Sequence, residues 1–142
     1  MKRRFVATFI SNSPADTEAF GHEFAKQLRA GSVLALKGDL GTGKTQFVKG
    51  LVAGVGGSAE VTSPTFTLIH EYLSGCLPIY HFDFFRIEDQ RAAARLGLDD
   101  YFFGDGVSVI EWADKFPNLI PKKAEWISFE MKSKTQREIT AE

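Results

Sequence analysis

Residues Gly38-Asp39-Leu40-Gly41-Thr42-Gly43-Lys44-Thr45 fit the pattern G-x-x-x-x-G-K-S/T. The chemistry of such a run is that of a phosphate cradle. Glycines let successive backbone N–H groups turn toward phosphate oxygens, and the N-terminus of a following helix adds partial positive charge. Lys44 would reach the terminal phosphates, and the Thr45 hydroxyl would sit on Mg²⁺. A loop of this kind also needs a carboxylate at the end of an apolar strand to hold or orient the metal, and two positions offer one. Ile79-Tyr80-His81-Phe82 runs into Asp83, and Val107-Ser108-Val109-Ile110 runs into Glu111. One of them would meet Mg²⁺, directly or through water, and the other would polarise an attacking water. Thr62-Ser63-Pro64-Thr65-Phe66 adds hydroxyls where many nucleotide switches carry a segment that senses the terminal phosphate. His70, Cys76 and His81 lack zinc-site spacing, and a lone strand histidine reads as a satisfied polar group. No G-x-S-x-G motif is present to suggest serine hydrolase chemistry.

These groups must be held by particular elements. Val33-Leu34-Ala35-Leu36 is a short continuous apolar run, as a buried parallel strand requires, and it leads directly into the glycine loop. A helix from Lys44 to about Val55 follows, with Phe47, Val48, Leu51, Val52 and Val55 on one stripe. Gly50 and Gly54 inside it cost roughly 1 kcal/mol each relative to alanine, so they predict close packing on the sheet. Upstream, residues 3–10 read as a strand. Ser13-Pro14-Ala15-Asp16 reads as a helix start, with Ser13 as N-cap, Pro14 in the first turn and Asp16 facing back. That helix is predicted to run through Leu28 and stop at Gly31. Further strands are expected at 66–72, 77–83, 107–110, 124–131 and 137–140, and helical patches at 88–96 and 112–116. Short connections at 72–77 and 131–137 read as hairpins. The expectation is an α/β fold, a three-layer P-loop NTPase domain with a mixed, largely parallel central sheet, occupying residues 1–142 as one domain.

Composition narrows the classes. At 142 residues, with 44% apolar and 25% charged side chains, the chain suits one folded domain and not a disordered segment. No apolar run approaches the ~18 residues that span a bilayer. Net charge is −1, which gives no bulk drive toward nucleic acid or membrane. Eight basic and four acidic residues fall in 1–50, against three and seven in 51–100. A cationic first third beside an acidic middle suits a phosphate site followed by metal or catalytic carboxylates. Cys76 is the single cysteine, so no intrachain disulfide forms, and a reducing compartment, the cytoplasm, is expected. The apolar stretch Phe5–Ile10 is shorter than the ~7–15 residues of a signal-peptide core. Of the 13 phenylalanines, the adjacent pairs Phe84–Phe85 and Phe102–Phe103 cannot both face inward, so one of each pair is a candidate partner contact.

Taken together, GDLGTGKT, TSPTF, HFDFFR (81–86), LGLDDYF (96–102) and VIEW (109–112) resemble, in order and spacing, the TsaE (YjeE) family. The resemblance spans roughly residues 5–140. It implies a cytoplasmic ATPase subunit of the bacterial tRNA threonylcarbamoyladenosine machinery, binding ATP and Mg²⁺ and acting on a TsaB–TsaD complex. That pair modifies the adenosine beside the anticodon of ANN-decoding tRNAs, so tRNA is met only through the complex, with no membrane involved and the chain monomeric when alone. By position, the resemblance implies ATP contacts from Gly41, Thr42, Gly43, Lys44, Thr45, Gln46, Thr65, Trp112 and Arg137. It implies Mg²⁺ contacts from Thr45 and Glu111, and catalytic roles for Lys44, Asp83 and Glu111. Gly97 and Tyr101 fall in the family's Leu-Gly…Tyr stretch. Two departures stand out. Phe85 replaces the family's usual tyrosine, and Gln90-Arg91-Ala92-Ala93-Ala94-Arg95 stands where paired glutamates are common. From the residues alone, two other readings stay open: a small-molecule kinase with Arg86, Arg91 and Arg95 in a lid, and a nucleotide-gated binding module using Phe84, Phe102 and Trp112.

Overall fold

The computed structural model describes residues 7–39, 41–58, 61 and 68–142. Among them seven strands form one sheet: β1 (Ala7–Ser11), β2 (Val33–Lys37), β3 (Ile69–Tyr72), β4 (Ile79–Asp83), β5 (Val107–Glu111), β6 (Glu125–Met131) and β7 (Arg137–Ala141). The helices are α1 (Pro14–Phe24), α2 (Lys44–Gly54), α3 (Gln90–Ala94) and α4 (Leu98–Phe102). Strand order is β1-β7-β6-β2-β5-β4-β3. The central strands β6, β2, β5 and β4 are parallel. Antiparallel pairs close both sides, β3 on β4 and the ribbon β7–β1 on β6. The expected hairpins at 72–77 and 131–137 are these edge pairs. Residues 3–6 of the expected first strand, and 66–67 of the third, lie outside the described residues.

Strand alternation builds the three layers. On β2, Leu34 and Leu36 face one core with Phe24 of α1 and Phe47, Val48, Leu51 and Val52 of α2. Val33 and Ala35 face the opposite core with Ala93 of α3, Leu98 and Phe102 of α4, and Ala113 and Phe116 beyond β5. Four central parallel strands covered on both faces need apolar side chains on both, and β5 is buried at every position. The phenylalanine pairs split as anticipated: Phe84 and Phe102 are buried, Phe85 and Phe103 exposed. Among the described residues no helix is long and apolar enough to cross a membrane.

Several boundaries depart from the sequence reading. Helix α1 tightens after Phe24 into a 3₁₀ turn over Ala25–Gln27, and Leu28 is already extended. The Leu28 N–H to Ala25 carbonyl bond (3.1 Å) satisfies a terminal carbonyl in the tighter geometry that often ends helices. The patch at 112–116 is a 3₁₀ turn, Ala113–Lys115. Helix α4 was not anticipated, because five residues carry too little periodicity to register. The start of α1 is as read: Ser13 accepts from the Asp16 N–H (3.1 Å), and Asp16 accepts from the Asn12 N–H (2.9 Å).

The glycines of α2 pack on α1, not on the sheet. A Cβ at Gly50 would lie 2.0 Å from the Glu18 carbonyl oxygen and 2.9 Å from Gly21 Cα, and one at Gly54 would meet Ala25 Cβ at 2.4 Å. The two helices therefore cross backbone to backbone, which carries the N-terminus of α1 alongside the glycine loop. Alanine at 50 would gain about 1 kcal/mol of helix propensity, but the clash is with backbone and cannot relax by a rotamer change. Gly50→Ala is expected to lose about 1–3 kcal/mol net, as overpacked sites do, read as a lower urea midpoint. An unchanged or raised midpoint would mean that the helices part without cost.

Candidate functional site

The site forms where three neighbouring parallel strands end. Strand β2 runs into the 38–45 loop, β4 ends on Asp83 and β5 ends on Glu111. Register sets Asp83 beside Glu111, and Glu111 beside Leu36 of β2. In open α/β sheets the crevice outside the carboxyl ends of the strands is where ligands bind. A cavity of about 800 Å³ occupies that position here.

The loop is shaped by its glycines at the turn into α2. Gly41 and Gly43 hold φ of 78° and 97°, the left-handed region that side chains resist. Thr42 Oγ1 donates to the Asp39 carbonyl (2.7 Å) and closes the turn. Gly43 is the N-cap of α2 and offers no capping side chain. The first N–H groups of α2 thus have no side-chain acceptor from their cap, and the helix end faces the cavity with its partial positive charge. Lys44 is only 5% exposed. Its ammonium donates to the Gly38 carbonyl and lies 4.0 Å from the centroid of the Trp112 ring. Burial pushes the Lys44 ammonium below its ordinary range, and the charges of Glu111 and Asp83 oppose that shift.

The two acids are buried to the same degree, Asp83 at 6% and Glu111 at 4%. Asp83 Oδ1 accepts from the Phe85 N–H (2.8 Å). Burial raises the Asp83 carboxyl above the usual aspartate range; the Phe85 hydrogen bond works against this and the neighbouring Glu111 charge adds to it. Glu111 Oε2 lies 2.6 Å from Nε2 of His81, whose ring is fully buried. Trp112 takes a left-handed backbone conformation (φ 59°, ψ 36°), the one non-glycine with positive φ among the described residues. Such a backbone costs of order 1–3 kcal/mol and persists only where the surroundings enforce it. The turn aims the indole over Lys44 on one side, and the ring of Phe85 lies 4.8 Å away.

The cavity brings together Gly41, Thr42, Gly43, Lys44, Thr45, Gln46, Asp83, Glu111, Trp112 and Arg137. Arg137 reaches it from β7, donating from Nε to the Gly41 carbonyl (3.1 Å) and from Nη1 to Ser133 (2.9 Å). It therefore braces the glycine loop against the β6–β7 hairpin. Thr65, with Thr62 and Ser63, lies outside the described residues. The wall also includes groups that the sequence reading did not assign to ATP or Mg²⁺. Asn12, Ser13, Pro14 and Thr17 come from the start of α1, Phe85 and Arg86 follow β4, and Lys134 and Thr135 cap the hairpin. Ser11 and Thr17 hydroxyls bond each other at 2.6 Å in the interior. A Cβ on Gly43 would touch Thr17 Cγ2 at 3.4 Å. The Ser-Pro cap was visible in the sequence; its closeness to the loop follows only from the helix crossing.

This is an α/β protein with a glycine-loop site at the carboxyl ends of its parallel strands. Residues 11–139 match the family model described as "Threonylcarbamoyl adenosine biosynthesis protein TsaE", and the chain belongs to that family. It is 44% identical over 128 residues to the tRNA threonylcarbamoyladenosine biosynthesis protein TsaE of Bacillus subtilis, covering 90% of this chain and 80% of that one. The Treponema pallidum protein of the same name is 40% identical over 131 residues, covering 92% and 96%. The solved structure of Bacillus subtilis YdiB superposes with a TM-score of 0.85 at 36% identity, covering 99% of this chain and 87% of that one.

The raised Asp83 pKa has a consequence for stability. A folded carboxyl that holds its proton more tightly than the unfolded one makes the ionised form a liability. The penalty is absent below the unfolded-state value and grows as pH rises from there through the folded value. Asp83→Asn keeps an acceptor for the Phe85 N–H and removes the charge. At neutral pH it is expected to be more stable than the parent by roughly 0.5–2 kcal/mol, the range of single stabilising substitutions. That advantage should shrink as pH falls from about 7 toward about 4. Thermal melts of both proteins across this range test it, and a constant difference would remove Asp83 ionisation as the cause.

Proposed function

We propose that this chain serves tRNA threonylcarbamoyladenosine biosynthesis as a Mg²⁺-dependent ATPase subunit, working in the cytoplasm on the TsaB–TsaD complex. The observation that carries the reading is the convergence of Lys44, Asp83 and Glu111 on one cavity at the open end of α2. Its volume of about 800 Å³ lies within the range of small-molecule sites. Membership of the TsaE family supplies the biological setting.

The residues suit both ligands. Backbone N–H groups at the start of α2, with Lys44, are matched to phosphate oxygens. Thr45, Glu111 and Asp83 present oxygen donors, the type that Mg²⁺ takes. Two neighbouring buried carboxylates, one of them pushed toward its neutral form, also favour a divalent cation between them and a phosphate. Bound Mg²⁺ would supply charge neutralisation on the phosphate oxygens. The protein's own part is positioning: Lys44 holds the terminal phosphates, Asp83 orients a water as hydrolysis-associated acid, and Glu111 fixes the metal side. Phosphoryl transfer asks little more of a protein than such placement.

The test is ATP hydrolysis with Mg²⁺ by the purified chain, alone and with TsaB–TsaD from the same source. Expected is weak activity alone, a clear rise with the pair, and a drop of about 100-fold or more in Asp83→Asn with nucleotide binding retained. Unchanged turnover in the variant removes Asp83 from the mechanism. ADP formed only when a small acceptor is present, and phosphorylated, would turn the reading to a kinase.

A further inference from the structure

We infer that His81 is a positioning residue for Glu111, setting which carboxylate oxygen is presented to the cavity. The inference rests on the metal-assisted site proposed above and assigns a role to a residue outside it.

His81 sits on β4 two residues before Asp83, so both side chains project from the same face of the strand. Its ring is fully buried, and Nε2 lies 2.6 Å from Glu111 Oε2, across the β4–β5 pair. Nδ1 has no hydrogen-bond partner among the described residues. A carboxylate oxygen can only accept at this distance, so Nε2 carries the proton that bridges the pair and donates to Glu111. Glu111 is thereby held by one oxygen, leaving the other for the cavity. Asp83 is held in the same manner, through Oδ1 by the Phe85 N–H. The site thus fixes both acids by one oxygen each, with the donors supplied from β4 and the residues just after it.

A purely structural role explains the pair less well. The ring is fully buried, with the Tyr72 ring centroid 6.4 Å away. Apolar side chains at both positions would avoid the unpartnered Nδ1, and a buried pair replaced as a whole is often exchanged without loss of stability, whereas removing one partner strands the other. What an apolar side chain cannot do is fix the Glu111 carboxylate. Groups that orient a metal-binding side chain in this way typically change metal affinity or activity by about 10–100-fold when removed.

The experiment uses Mn²⁺ as the probe, titrated onto the full chain with ADP present and followed by electron paramagnetic resonance of the free ion. His81→Phe keeps the ring shape and lacks the donor; His81→Gln has an amide N–H that can take the Nε2 place. Expected is about 10-fold or greater weakening of Mn²⁺ in His81→Phe, with ADP affinity in metal-free buffer unchanged and most of the loss restored in His81→Gln. In a Glu111→Gln background, His81→Phe should add nothing further, because both act through one carboxylate. Given partner-stimulated ATPase activity, His81→Phe should lower kcat and leave the KM for ATP in place. Parental Mn²⁺ affinity in His81→Phe, an equal loss in folded His81→Gln, or an undiminished loss in the Glu111→Gln background would each overturn the inference. Failure of the parent protein to bind Mn²⁺ with ADP overturns it as well. A parent that binds Mn²⁺ but never hydrolyses ATP sinks the ATPase reading alone, and the Mn²⁺ series still decides on His81.

Discussion

The pairing of Asp83 with Glu111 in the β4–β5 register is the constraint on which the site depends. It puts two buried carboxylates beside the buried Lys44 ammonium, and a buried charge is costly unless it is paired. Each offsets the burial of another: the acids raise what burial lowers on Lys44, and Lys44 lowers what burial raises on Asp83. The balance is incomplete, since Asp83 stays shifted upward and Lys44 downward. Residual charge frustration of this sort marks functional sites more often than structural ones. Its tolerance requires a stiff frame, which the four central parallel strands covered on both faces provide.

The frame extends to the glycine loop through the α1–α2 crossing. Because Gly21 and Gly50 let the helix backbones touch, Thr17 reaches Gly43, and the Ser11–Thr17 hydroxyl pair ties α1 back to β1. From the other side Arg137 holds the Gly41 carbonyl and links the loop to the β6–β7 hairpin. The loop is therefore gripped from both flanks. A cradle that presents backbone N–H groups gains from such pre-organisation, since less ordering is left for the ligand to pay for.

Much of this was legible in the chain. The 33–45 strand–loop motif carries its own context, and Asp83 and Glu111 stand out because each ends an apolar run. Local patterns locate such elements well, since strand, loop and helix start are contiguous. What escaped is what depends on tertiary register. His81 read as a lone strand histidine because its partner is 30 residues away, and no local spacing encodes which strands become neighbours. The α2 glycines signalled close packing correctly, but period alone cannot say whether a helix or the sheet fills the other side. The 62–66 hydroxyl segment lies outside the described residues.

The two family departures now have different standing. Phe85 makes three contacts near the site: its ring lies against Trp112, its N–H binds Asp83 and its carbonyl accepts from Lys115 Nζ at 2.8 Å. None of these uses a phenol oxygen. The more demanding residue is its neighbour in space. Trp112 must leave β5 in a left-handed turn, and it does so directly after Glu111, so the chain that fixes the Glu111 carboxylate also fixes the cover over Lys44. Stacking and cation–π contacts of about 0.5–2 kcal/mol each offset the backbone strain. The 90–95 substitutions differ in kind. Helix α3 is capped by Asp89 onto the Ala92 N–H at 2.8 Å and buries only Ala93, so its arginines lie on a solvent-facing surface where charge can change with little effect on the fold. Both departures thus fall where the contacts are made by backbone or ring face, or on an exposed helix surface, and neither lies among the residues that share charge around Lys44.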